Sequence, residues 1–223
     1  MKNKTAVLIF ANSAEKEAER KSFLSAEVFS ALNEQIIKTV KKSGIEYFHI
    51  SDKQQIGNSF GERFLNAIET IFDKNFNNVI TIGNDTPHLK THHLVDTLKQ
   101  LEKKDFVLGP SKDGGFYLMG IKKEHFNRET FLKSPWQTNH LHNYFSSIAS
   151  AQNLQLHFLE PLHDIDSKED IKLIIQSFNT ITNSILKLLQ KLFYAIKKPF
   201  FEAQSILLKT SFAQNLNKGS PVI

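Results

Sequence analysis

The sequence predicts an α/β protein built on a mainly parallel sheet. Short β-branched or apolar runs (TAVLIF, Ile45 to Ile50, VITI) alternate with longer segments whose apolar residues recur every three or four positions. Gly44 and Gly83 stand at junctions where one period gives way to the other. With 223 residues, 40% hydrophobic and 23% charged, the chain has enough apolar material for one sizeable core.

In chain order, Thr5 to Phe10 is a first buried strand, followed by a polar, glycine-free connection, ANSAEKEAERKS. Val28, Phe29, Leu32, Ile36, Ile37 and Val40 stripe one helical face, which ends in lysines before Gly44. Ile45 to Ile50 is the second strand, and Ser51 to Ser59 a polar loop. Phe60, Phe64, Ile68, Ile71 and Phe72 mark a second helix, leading into the strand Val79 to Ile82. Thr91 suits the cap of a third helix, with Leu94, Leu98 and Leu101 inward, before Phe106 to Leu108 returns as a strand. Strands alternating with helices in this way imply right-handed crossovers. Further strands are expected at Phe116 to Met119 and LQLHFL, and a helix from about Asn139 to Ala151.

Composition excludes several classes. There is no cysteine, hence no disulfide and no thiolate metal site. The N-terminal apolar run is too short for a signal peptide, and no segment approaches the ~18 to 20 apolar residues of a membrane span; a cytoplasmic location is expected. The net charge of +5 belongs to the tail from Thr180 onward, where six lysines face the single acid Glu202. The rest is neutral, which speaks against a nucleic-acid partner. The chain therefore divides into 1–179, the α/β domain, and 180–223, a basic amphipathic helical extension.

Chemistry concentrates between Val79 and Ile121. Gly83 stops the third strand and delivers Asp85 to its carboxyl end, where α/β sheets bind ligands. Asp113 precedes Gly114 and Gly115, which allow positive φ or close backbone approach. Taken singly, Asp85 also reads as a helix cap and Asp113-Gly114 as a hairpin turn. Asp164 and Asp166 form a third acidic element suited to a hard cation, although Asp166 with Glu169, or Ser167 with Asp170, has capping-box spacing. Arg63 offers a bidentate fork for phosphate, or else a surface pair with Glu62 or Glu69. His88, His92 and His93 lack the partners of a zinc site and read as solvated helix-entry residues. Trp136 suits ring stacking or a buried loop anchor.

GNSFGERF, VITIGNDTPHL, FVLGPSKDGGFYLMG, PWQT and DIDSKEDI, in that order, resemble a bacterial family of glycosyltransferase-like proteins with the GT-A nucleotide-diphospho-sugar transferase fold, some linked to arsenosugar biosynthesis. The resemblance spans roughly residues 4–176. It implies a Rossmann-like three-layer sandwich and a Mg²⁺ or Mn²⁺ cofactor held by Asp85 with Asp164 or Asp166. It also implies a nucleotide-sugar site drawing on Asn58, Arg63, Gly83, Gly114, Gly115 and Trp136, and Asp113 as acceptor base or sugar-hydroxyl ligand. The expected activity is glycosyl transfer from a nucleotide-sugar to a small-molecule acceptor. Nucleotidyl transfer to a phosphorylated acceptor and a catalytically silent binding module are the alternatives. One departure stands out: relatives carry a proline- and glycine-containing loop with a Lys-Thr-Arg-like motif after the first strand, where this chain offers only Arg20 and Lys21 as comparable charge. That departure weighs more heavily against nucleotidyl transfer.

The tail has its own logic. From Asn183 to Lys198 the apolar residues fall on one half of a helical wheel and the lysines on the other. Such a helix packs against its own fold or a second subunit, or lies on an anionic membrane surface.

Overall fold

In a computed structural model, residues 4–176 and 185–191 are described. Six strands, β1 (Thr5–Phe10), β2 (Glu46–Ile50), β3 (Asn78–Ile82), β4 (Phe106–Pro110), β5 (Phe116–Lys122) and β6 (Leu156–Phe158), form one sheet in the order β2-β1-β3-β5-β4-β6. Pairing is parallel for β1 with β2, β1 with β3 and β4 with β6, whereas β5 is antiparallel to both neighbours. The expected mainly parallel sheet is present, with β5 the reversed strand.

Helices cover both faces: α1 (Ala14–Arg20), α2 (Ala26–Ser43), α3 (Phe60–Phe72), α4 (Thr91–Gln100), α5 (Arg128–Leu132), α6 (Leu141–Ala151) and α7 (Lys168–Gln176). Alternation along β1 shows the layering. Ala6 and Leu8 join Phe64, Leu65, Ile68, Phe131 and Phe145 on one face, while Val7 and Ile9 join Ile36, Val40, Leu94 and Leu101 on the other. This is the three-layer, Rossmann-like arrangement.

A third cluster lies at the edge of this sandwich. Leu24, Val28, Phe29 and Leu32 meet Ile165, Ile171 and Ile174, together with Ile185 and Leu189 of the tail. Residues 185–191 are helical, and Ile185 and Leu189 are buried, so this part of the apolar face packs on α2 and α7 instead of lying open to a membrane. The remainder of the predicted tail helix lies outside the described residues. Among them, no helix is long and apolar enough to cross a membrane.

Two local expectations are corrected. The connection after β1 is helical: Ser13 caps α1 by accepting from the Lys16 N–H, and alanine, glutamate, lysine and arginine are all good helix formers. Thr91 is the first residue of α4, not its cap; its hydroxyl donates to the Thr39 carbonyl.

Candidate active site

The carboxyl ends of β1 and β3 and the β4–β5 turn open on a cleft of about 490 Å³. Phe10, Phe60, Phe64, Trp136 and Leu141 supply an apolar wall, and Arg20, Arg63, Asp85, Asp113 and Asp166 the charge. This mixture of apolar surface and a few converging polar groups is typical of a small-molecule site.

The acids are held by different means. Asp85 follows Gly83 and Asn84 at the end of β3, and its Oδ2 lies 2.9 Å from the Lys21 Nζ. Asp166 Oδ1 is 2.7 Å from the same nitrogen, and the Ile165 carbonyl 2.6 Å. Three oxygens thus converge on one buried ammonium, saturating its three N–H donors. Burial opposes ionisation of Asp85, but the Lys21 charge, reinforced by Arg20, holds its carboxyl below the usual range. Burial likewise works against the Lys21 charge and is outweighed by Asp85 and Asp166, so its ammonium is held charged. Arg20 pairs with the buried Glu17 at 2.9 Å.

Asp164 points elsewhere. It accepts from the Thr86 hydroxyl, and burial, then the nearby Asp85 charge, raise its carboxyl well above the ordinary value. Of the three acids predicted to hold a metal, Asp85 and Asp166 share a cation position and Asp164 is bonded to Thr86. The capping-box spacing is used by Ser167 and Asp170: Asp170 accepts from Ser167 N and Oγ, while its own N–H donates back to Ser167. This leaves the Asp166 carboxylate to Lys21.

Asp113 sits in the turn joining antiparallel β4 and β5, so the hairpin reading holds, and the same residue lines the cleft. Its Oδ1 accepts from the Ser111 hydroxyl and the Gly115 N–H. Of the two glycines expected to allow it, Gly114 takes the left-handed conformation, at φ +95°, and a Cβ there would also lie 2.5 Å from the Asn139 carbonyl oxygen. Gly115 and Gly83 line the cleft, while Gly114 is packed behind it.

Arg63 lies in the cleft without a hydrogen-bond or ion-pair partner for its guanidinium among the described residues. Its sequence-level alternatives are taken: Glu62 accepts from the Asn58 and Ser59 N–H groups, and Glu69 pairs with Arg128. Asn58 is an exposed residue of that capping loop and does not line the cleft. Trp136 donates its indole N–H to the Phe131 carbonyl and stands edge-on to Phe64, so it anchors its loop while forming part of the wall.

The histidines depart most from expectation, since His88 and His93 are buried and only His92 is exposed. His92, His93 and Glu160 come close enough to suggest a metal centre. The hydrogen bonding argues otherwise. The Lys90 N–H donates to His93 Nδ1 at 2.9 Å, which leaves the proton on Nε2, where it donates to Glu160 at 2.9 Å. Neither nitrogen has a lone pair to spare, and the trio is a clip between α4 and the segment after β6.

Lys21, named in the sequence only as charge comparable to the relatives' basic motif, was given no place in the site. Its position after β1, where relatives place their basic motif, was the available signal; the short helix α1 that delivers it was not foreseen. Its ammonium is a stand-in cation that tests the donor set: two carboxylates and a carbonyl, all oxygen, within 2.6 to 2.9 Å of one point fit a hard divalent ion once the lysine withdraws.

No curated protein matches the sequence. Among solved structures, a provisionally named nucleotide-diphospho-sugar transferase of Desulfovibrio desulfuricans G20 superposes with a TM-score of 0.76 at 19% identity, covering 86% of this chain and 98% of that one. The 4-diphosphocytidyl-2C-methyl-D-erythritol synthase of Anaerococcus prevotii DSM 20548 gives 0.50 at 12% identity, covering 79% and 96%. At such identities these likenesses establish the fold. Residues 9–138 match the family described as an uncharacterized protein conserved in bacteria, DUF2064, and the chain belongs to that family.

Proposed function

We propose that the cleft binds a nucleotide-sugar through its diphosphate, with Mg²⁺ or Mn²⁺, and transfers the glycosyl group to a small-molecule acceptor. The observation that carries this reading is the convergence of Asp85, Asp166 and the Ile165 carbonyl on one cation position at the mouth of the cleft. When bound there, the metal supplies charge neutralisation of the departing diphosphate. Arg63, with its guanidinium uncommitted, grips a phosphate through its planar fork. Phe10, Phe60 and Trp136 exclude water from one side of the bound ligand. Asp113, fixed through Oδ1 by Ser111 and Gly115, keeps Oδ2 for an acceptor or sugar hydroxyl.

Thermal shift with sugar nucleotides, nucleoside diphosphates and triphosphates, each with and without Mn²⁺, tests the proposal. A sugar nucleotide or diphosphate should stabilise the protein only with the cation, by about 2.7 kcal/mol at a hundredfold excess over its Kd. A clear preference for a triphosphate converts the reading to nucleotidyl transfer onto a phosphorylated acceptor. Failure of every nucleotide to bind leaves a binding module.

A further inference from the structure

Lys21 is the most enclosed charge at the site, with 4% of its side chain exposed, against 25% for Asp85 and 45% for Asp166. A lysine that merely attracted phosphates would extend into the cleft, where Arg20 and Arg63 already line the wall. Lys21 does not line the cleft; its ammonium fills the point on which the oxygens converge. An ammonium and a divalent ion cannot share that point, because they would be two cations at van der Waals separation competing for the same lone pairs. A metal must therefore expel the lysine, and an expelled ammonium needs new acceptors, since removing a buried charge from its partners is costly. The neighbouring acids of α1 are engaged, Glu17 with Arg20 and Glu19 with Lys16, and Asp164 already accepts from Thr86. The acceptors that arrive together with the metal are the phosphate oxygens of the ligand.

We infer that Lys21 is a tethered counter-cation that keeps bare divalent ions out of the Asp85–Asp166 site and yields it only when a diphosphate enters the cleft to receive its ammonium. The inference rests on the transfer reading solely for the identity of the metal site. It assigns a selecting role to Lys21: the protein discriminates between a free metal ion and one accompanied by a polyphosphate. Linkage makes the effect reciprocal, so the nucleotide strengthens metal binding by the factor by which the metal strengthens nucleotide binding. The energetic source of that coupling is the lysine.

Binding of Mn²⁺ to the full chain, followed by electron paramagnetic resonance of the free ion, provides the test. It is measured with Mn²⁺ alone and with Mn²⁺ plus uridine diphosphate, for the native protein and for Lys21→Met, Lys21→Gln and Lys21→Arg. The native protein and Lys21→Arg should bind bare Mn²⁺ weakly, and uridine diphosphate should tighten it tenfold or more. Lys21→Met should bind bare Mn²⁺ at least tenfold more tightly than the native protein and lose most of the synergy. Lys21→Gln, which keeps a hydrogen-bond donor without the charge, gives the same answer should the methionine variant not fold. Unchanged bare-ion affinity in both neutral variants overturns the inference. Tighter Mn²⁺ binding in them, with no sugar nucleotide recognised by any form, upholds the counter-cation and defeats the transfer reading. Absence of Mn²⁺ binding throughout defeats both.

Discussion

Lys21 and His93 are buried to the same extent, each with 4% of its side chain exposed, and each meets a carboxylate from the segment that follows β6. Lys21 presents a charge to the Asp85 carboxylate beyond the end of β3 and to the Ile165 carbonyl and Asp166 carboxylate of one turn, at the edge of an open cleft. His93 spends one ring nitrogen on the Lys90 N–H and the other on Glu160, away from the cleft. The contrast separates oxygens that converge on one point, as the proposed cation site requires, from ring nitrogens already committed to partners. Composition alone would rank the histidine cluster higher, as the more usual metal set. Donor and acceptor assignment reverses that ranking.

The comparison is most exposed at Asp85. Asp85→Asn should abolish the whole cation-dependent stabilisation by ligand, about 2.7 kcal/mol at a hundredfold excess, while the protein stays folded, as read by circular dichroism and thermal shift. Retention of that shift would remove Asp85 from the site. His93→Ala should do the converse, costing about 1 to 3 kcal/mol in urea unfolding because the Lys90 N–H loses its acceptor, with the ligand shift intact. Loss of ligand binding without loss of stability would restore the histidine cluster as a functional centre.

A smaller effect concerns pH. Burial lowers the His93 pKa, an effect that its hydrogen bond to Glu160 only partly offsets. The folded state therefore resists a proton that the unfolded chain accepts near pH 6.5. Its contribution to stability is full above that value and is lost as pH falls through it toward the lowered folded value. His93→Gln should flatten the difference in unfolding free energy between pH 7.5 and 5.5, without erasing it, because His49 is also lowered by burial. Smallest of all, Glu160→Gln should change stability by less than about 0.5 kcal/mol, since its side chain is 65% exposed and the amide oxygen still accepts from His93.

Much of the sandwich was legible because periodicity encodes it: the stripe from Val28 to Val40 and the run VITI appear as α2 and β3. The acids were legible from the strand end at Gly83 and the glycines after Asp113. The reversal of β5 was not drawn into the sheet order, although the hairpin alternative at Asp113-Gly114 carried it: the five residues from Ser111 to Gly115 are too few for a crossover to a parallel strand. Nor was Lys21 legible, since the helix that aims it looked like a connection without apolar periodicity. Glu17, a charged residue buried by pairing with Arg20, defeats any pattern that equates polar with exposed.

The third hydrophobic cluster has a consequence for how far the proposed site extends. Leu24, just after Lys21, and Ile165, between Asp164 and Asp166, are both buried in it, and Ile185 and Leu189 of the tail close it from the far side. Lysine and acids are thus set at their distances by a greasy bearing whose last pieces come from a segment remote in sequence. Polar substitutions at Ile185 or Leu189, which lie outside the cleft lining, would loosen the lysine from its oxygens, so the tail belongs to the tolerances of the proposed cation site.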